Sequence, residues 1–321
     1  MPNPQKDSAA RKLPTRERHC VVCDSKDGVV LYEARLPEFQ GDAAVLHYHY
    51  EQTVAKNLWH YRIVRCKSCG HIYGNPIFEE ELVEESYLSQ RHDNQFGVAE
   101  ELLLRTNRGY ADLVTEYLPP RDKRNLQVDI GCDTGIFIRA TRDLGFRKVV
   151  GIEPGVDSAN QARKIPGIEV MQKLFDPADF QEGSIDFLNL IHVLDHLSQP
   201  RQIIREIRPL ISKGGVVFAI VHNIDSLIAK VSGESWPVLN LVHLDHYSPT
   251  SLRRLFEAEG YRVLAVKKTK NHFPLSHLIR FCPLLPTKMR DVMIKTVVKP
   301  PFNDPVLGLR LGNIAVLATV D

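Results

Sequence analysis

Cys20-Val-Val-Cys23 and Cys66-Lys-Ser-Cys69 are two Cys-x-x-Cys pairs in one chain. Each pair lets one tight turn present two thiolates to the same ion, and two pairs complete a closed tetrahedral Zn²⁺ shell. Four cysteine ligands leave no position open for a substrate, so this metal is expected to be structural. Gly70 follows the second pair, where such a turn needs it; His19 and His71 flank the pairs and are read as cover rather than as ligands. A second set of reactive side chains consists of His192, His196, His222, His243 and His246, all beyond the ends of apolar runs. Imidazole titrates near neutrality and can serve as a general base. The base is assigned to His196, His243 or His246, and His192, at a strand tip, is placed nearest a bound ligand.

The elements that would position these histidines begin with Val128 to Gly135, VDIGCDTG. The apolar run Leu126 to Ile130 stops at Gly131 and Gly135, after which Ile136, Phe137, Ala140 and Leu144 recur at helical spacing. That pattern reads as strand, glycine turn and helix, a turn whose backbone can lie against a ligand while the helix N-terminus offers unpaired N–H groups. Lys148 to Glu153 is a second strand ending in a carboxylate, placed as the acids that grip a ribose are placed in nucleotide-binding βαβ units. Ile185 to His196, the amphipathic stretch Pro200 to Ile211, and Val216 to His222 continue the alternation. Strands alternating with helices predict an α/β doubly wound parallel sheet with its ligand at the carboxyl ends of the strands. A nicotinamide-type site is disfavoured because position 136 is isoleucine, where the third glycine of Gly-x-Gly-x-x-Gly belongs.

Asp129-Ile-Gly-Cys-Asp-Thr-Gly135, Gly151-Ile-Glu-Pro154, the segment 186–200 and the segment 210–217 resemble, in order, the motifs of class I S-adenosylmethionine-dependent methyltransferases. The resemblance covers roughly 121–266 and the last strand. His192-Val-Leu-Asp195-His196 is similar to a branch that carries His-Val-Leu-Glu-His after the fourth strand. It implies a Rossmann-like, seven-stranded doubly wound sheet with an antiparallel last strand, and S-adenosyl-L-methionine as cofactor. Asp129, Gly131 and Gly135 would approach the methionine part, Glu153 the ribose, and Leu174 and Phe175 the adenine. Cys132, Asp133, Phe137, Pro154 and His192 complete the implied cofactor set. The family has glycine where this chain has Asp133, but aspartate tolerates left-handed backbone angles, so the turn can persist. The implied activity is methyl transfer to oxygen, carbon or nitrogen of a small-molecule acceptor: a sugar, nucleotide sugar or secondary metabolite. An RNA methyltransferase using the zinc ribbon to dock nucleic acid is the alternative. It is disfavoured by Asn189-Leu-Ile-His192, which is not Asn/Asp-Pro-Pro-aromatic, and by a formal charge of only +2. A non-catalytic cofactor-binding scaffold is a third reading, prompted by Asp133.

At 321 residues the chain can build one large core and a small accessory module. The expected order is a disordered tail (1–18), a β-rich zinc-ribbon-like module (19–76), a helical connector (77–120) and the methyltransferase domain (121–321). Within the module, 29–32, 45–50 and 61–65 read as short strands; Pro119-Pro120 closes the connector. No stretch of 18 apolar residues could form a transmembrane helix, the N-terminus lacks a leader's apolar core, and six cysteines without a secretory signal suit a reducing, cytoplasmic setting. The segment 268–310 is an insertion before the last strand. From Lys267 to Lys299 eight Lys/Arg face only Asp291, so this insertion is read first as a substrate lid, then as a homodimer surface, and last as a membrane-surface element.

Overall fold

The computed structural model describes residues 14–36, 59–82, 100–280, 282 and 285–321. The expected strand 45–50 and the connector from 83 to 99 lie outside them. Five short strands open the chain: β1 (Thr15–Arg16), β2 (Gly28–Tyr32), β3 (Ile63–Cys66), β4 (Ile72–Gly74) and β5 (Ile77–Phe78). The first corrects the tail boundary, because β1 pairs antiparallel with β5 and Arg18 is 9% exposed. Charged and proline-rich residues suggested disorder there, yet the partner that orders them is far along the chain.

Helix α1 (Glu100–Val114) precedes the main sheet. The sheet contains β6 (Leu126–Ile130), β7 (Lys148–Ile152), β8 (Glu169–Met171), β9 (Ile185–Ile191) and β10 (Ile211–His222). After the two-residue β11 (Asp245–His246) come β12 (Arg262–Lys268), the insertion strands β13 (Asn271–Pro274) and β14 (Val306–Leu309), and β15 (Asn313–Thr319). The main sheet runs β8-β7-β6-β9-β10-β15-β12, parallel except for β15, which is antiparallel to both neighbours. Order reverses between β6 and β9, which opens the crevice where doubly wound sheets take ligands.

Alternation along the central strands separates the two faces. Val217, Ala219 and Val221 join one core with Leu252, Leu255 and Phe256, whereas Val216, Phe218 and Ile220 join another with Tyr110 and Val114. Both faces are therefore covered, which explains why β10 reads as an unbroken apolar run. Besides α1, the covering helices are α2 (Ile136–Thr141), α3 (Val156–Ala162), α4 (Pro200–Ile207) and α6 (Pro249–Ala258), whereas α5 (Leu227–Ser232) buries Ala229 against Ile63, Ile72 and Trp236. Ser248 caps α6 in a box with Ser251, Pro249 opens its first turn, and Gly260 at φ 78° follows its end.

The cysteine module is welded to the main domain. β11 adds to the module's sheet in the order β11-β4-β3-β2, with Asp245 opposite Tyr73 and His246 opposite Ile72. Asp245 is fully buried and accepts from Arg18 Nη2 through both oxygens, at 2.8 and 2.6 Å, while His71 Nε2 lies 2.8 Å from Oδ1. Burial alone would raise the Asp245 carboxyl; Arg18 and His71 together hold it below the usual range. The insertion is a β13–β14 hairpin enclosing α7 (Leu275–Arg280) and α8 (Thr287–Val297). Its base is fastened to α1, with His272 N donating to Thr106 Oγ1 at 2.9 Å and Tyr110 OH to Asn271 Oδ1 at 3.0 Å.

Candidate active site

The glycine turn after β6 is held by the neighbouring strand: Gly131 N and Cys132 N both donate to Ile152 O, at 2.8 and 3.1 Å. Gly131 sits at φ 69°, and a Cβ there would come within 2.7 Å of Val193 Cγ2. Gly135, at φ 78°, has Ile165 Cδ1 within 2.5 Å of the same position. Asp133 occupies the left-handed region at φ 46°, as its residue type allows. Its N–H donates to Glu153 Oε2 at 2.9 Å, Ser158 Oγ donates to its carboxylate, and Glu153 Oε1 accepts from Gly155 N. Glu153 thus braces both turns at the edge of the crevice.

Asp129 ends the turn's base and is 1% exposed. Burial pushes its carboxyl up to about 7, helped by the Glu153 and Asp133 charges and opposed by nearby Asn189. Asn189 is the side chain placed to pair with it, short of good hydrogen-bonding geometry, and a buried carboxyl so weakly satisfied fits a cationic or donor-bearing ligand. Cys132 and Phe137 turn inward. The Cys132 thiol lies under Gly151, where a Cβ would meet it at 2.6 Å, and the Phe137 ring packs 5.9 Å from Phe218. Pro154 is half-buried beside Glu153, Leu174 is exposed, and Phe175 lies 6.3 Å from Phe180.

Across the crevice, four histidines surround one buried aspartate. Asp195, in the turn after β9, has Oδ2 2.7 Å from His222 Nδ1 at the end of β10. A carboxylate can only accept, so Nδ1 of His222 donates the proton in this bond, and in the neutral form of such a ring Nε2 is the acceptor. Burial would raise the Asp195 carboxyl, but the His222 hydrogen bond and the adjacent imidazoles hold it well below the usual range. The rings of His192 and His243 each lie 4.7 Å from that of His222, and His196 lies 4.5 Å from His243. Burial lowers His192 to about 3 and depresses His196 and His243, so these three are neutral. Asn313 Nδ2 lies 3.2 Å from His192 Nε2, and Asn240 Oδ1 lies 3.0 Å from His243 Nδ1, which fixes both rings.

His192, His196 and His243 thus stand together beyond the ends of β9 and β10, and the pairing of Asp195 with His222 is a feature that residue type and spacing do not announce. His246 stands on β11, 1% exposed, with neither ring nitrogen hydrogen-bonded and Trp236 6.3 Å away. The ligand atoms of His192, Asp195 and His222, and those of Asp195, His196 and His243, lie within 4.8 Å of one another. The 2.7 Å separation in the Asp195–His222 pair is a hydrogen-bond length, and we treat the cluster as a carboxylate–imidazole dyad with neighbours.

The four paired cysteines form a separate cluster, with Cys20 and Cys69 sulfurs 3.4 Å apart and those of Cys23 and Cys66 3.5 Å apart. Four sulfurs about 2.3 Å from one ion would lie ~3.8 Å from each other, so the arrangement fits Zn²⁺. Asp24 N donates to Cys20 O and Gly70 N to Cys66 O, closing two equivalent knuckles. His71 is committed to Asp245 and His19 to Asp24, which leaves both outside the shell.

Sequence comparison matches 102–266 to a family described as Methyltransferase domain. A 37.1 kDa protein of a Streptomyces fradiae transposon is 28% identical over 116 residues, 34% of this chain and 33% of that protein. The tRNA U34 carboxymethyltransferase of Campylobacter hominis is 30% identical over 103 residues, 30% of this chain and 36% of that enzyme. The matches thus span about a third of these relatives. Among solved structures, a complex of the Haloferax volcanii Trm112 activator with a methyltransferase has a TM-score of 0.49 at 17% identity, covering 69% of this chain and 92% of that one. With the family match covering just over half of the sequence, the chain belongs to the methyltransferase-domain family and has the class I S-adenosylmethionine-dependent methyltransferase fold.

Proposed function

We propose that this protein moves a methyl group from S-adenosyl-L-methionine to oxygen, carbon or nitrogen of a small-molecule acceptor, a sugar, nucleotide sugar or secondary metabolite. The observation that carries the reading is a carboxylate-oriented imidazole, Asp195–His222, across one crevice from the glycine turn, with Val193 packed against Gly131 between them. When bound, the cofactor supplies an electrophilic methyl on a sulfonium. Asp129 and the 131–135 turn would hold its amino-acid end and Glu153 its ribose. For a hydroxyl acceptor His222 Nε2 takes the proton, and Asp195 stabilises the imidazolium that results. Neutral His192, His196 and His243 line the same wall without adding charge that would oppose this transfer. Cys20, Cys23, Cys66 and Cys69 would hold a structural Zn²⁺, which would tie together the module that positions β11.

Asp129 gives this reading a pH signature. The free carboxyl titrates near 7 and a cationic ammonium binds its ionised form, so cofactor affinity rises with pH up to about 7 and then flattens. Calorimetric titrations across that range should show the slope, at most about tenfold per pH unit, and Asp129→Asn should abolish it. In the cofactor-free protein the same group acts oppositely. The unfolded chain loses this proton near 3.8 and the folded one near 7, so stability falls as pH rises between them.

The direct test is incubation with methyl-labelled cofactor and cell extract, then separation into small molecules, protein and RNA. Label among small molecules is expected. Label in RNA would establish the second reading, which the 30% identity to a tRNA-modifying enzyme supports.

A further inference from the structure

We propose that the insertion between β12 and β15 docks the protein on an anionic lipid surface. Helix α8 has no buried residue, and only Arg290, Ile294 and Val297, which share one face, are half-buried. The flank next to it carries Met289, Val292 and Met293 at i, i+3 and i+4, with exposures of 50%, 64% and 37% and Val292 turned furthest from the half-buried side. Phe302, just beyond the helix, is 55% exposed. Nearly half of the exposed large apolar side chains among the described residues fall between 289 and 307. Single exposed apolar residues need no explanation, but a helix face of them does.

Charge identifies the partner. The segment 267–310 contains nine Lys/Arg against Asp291 and Asp304, in a chain whose formal total is +2, so the rest of the molecule is net negative. Asp304 is engaged by Ser276, whose N–H and hydroxyl both donate to it. Lys288 and Lys295 lie along one margin of the apolar face, with Lys299 just beyond the helix, and all three are exposed. An apolar stripe flanked by lysines that reach past it suits a helix lying in a headgroup layer, where the methyl groups enter the acyl boundary and the ammonium groups meet phosphate. RNA would satisfy the lysines but leave the apolar face in water. A substrate lid would turn that face inward. Among the described residues no helix is long and apolar enough to cross a membrane, so docking would be peripheral.

Flotation of the full-length protein with vesicles tests this. Binding is expected to phosphatidylcholine mixed with phosphatidylglycerol and not to phosphatidylcholine alone. Val292→Glu with Phe302→Glu should abolish it, and Lys288→Ala and Lys295→Ala should each weaken it roughly fivefold. Cofactor binding by all variants should match the parent, since these side chains are exposed and distant in sequence from the glycine turn. Failure to float with mixed vesicles overturns the proposal, as does binding that survives the double glutamate variant. Retention on tRNA without vesicle binding would assign the basic segment to nucleic acid. A concentration-dependent dimer dispersed by Val292→Glu, again without vesicle binding, would assign the face to a second copy.

Discussion

Replacing Cys66 and Cys69 with serine is expected to take the protein from about one zinc per chain to none and to unfold the module from Arg18 to Phe78. In zinc-finger peptides structural Zn²⁺ contributes about 10–16 kcal/mol at neutral pH, far more than a small set of two- to five-residue strands can supply. Burial pushes the Cys20 thiol up, so in this variant, without an ion, it stays protonated and packs as a small polar group without a strong partner. The damage should spread. Cys20, Val22, Val64 and Tyr73 share one core with Tyr247, Leu252 and Phe256, and Ile63 and Ile72 share another with Trp236 and Leu239. Losing those contacts should lower the melting temperature of the whole chain by roughly 10 °C or more. Activity should fall further than stability, because Leu244 N donates to Asp195 O at 2.7 Å and thereby ties β11 to the dyad. Elemental analysis with scanning calorimetry decides it; a metal-free protein melting at the parental temperature would remove the zinc from the account.

Much of this organisation is legible because it is local. The Gly131–Gly135 turn, the Ser248 cap and the two cysteine knuckles each declare themselves within a few residues, and β10 declares its double burial by an unbroken apolar run. What escapes the sequence is pairing at long range. β11 is two residues long, too short for any periodicity, and gains its identity only by meeting β4. Arg18 reads as one more charge in a polar tail until Asp245 is placed beside it. The Asp195–His222 dyad hides for a similar reason. Asp195 and His196 are neighbours whose side chains diverge, with His196 Nε2 3.9 Å from the carboxylate, whereas His222 arrives from the tip of the adjacent parallel strand. Chemistry-bearing residues at the ends of neighbouring strands could have been paired by assuming the strand order that the family resemblance already implied.

Asp195→Asn and His222→Gln are each expected to lower turnover by about 10²–10⁴ while leaving cofactor affinity unchanged. The conservative replacements matter. His222→Ala would strand a carboxylate that is 1% exposed, and an uncompensated buried charge costs about 3–5 kcal/mol, enough to confuse folding with chemistry. Asparagine at 195 keeps the shape but can present its amide N–H to Nδ1, which would shift the imidazole proton to Nε2 and block the base. Asp195→Asn should therefore lose turnover without losing stability. His243→Asn should cost less, because His243 is anchored to Asn240 and meets the His222 ring by contact at 4.7 Å rather than by a hydrogen bond. His246→Asn should cost less again, since that ring packs against Trp236 at 6.3 Å and neither of its nitrogens is hydrogen-bonded to the dyad. If the dyad is the base, alkaline pH should rescue part of the lost rate for a hydroxyl acceptor, as hydroxide removes the proton that His222 no longer accepts. Full turnover by His222→Gln would remove the dyad from the role of base, and a loss in His246→Asn that exceeds that of His222→Gln would move the base to β11.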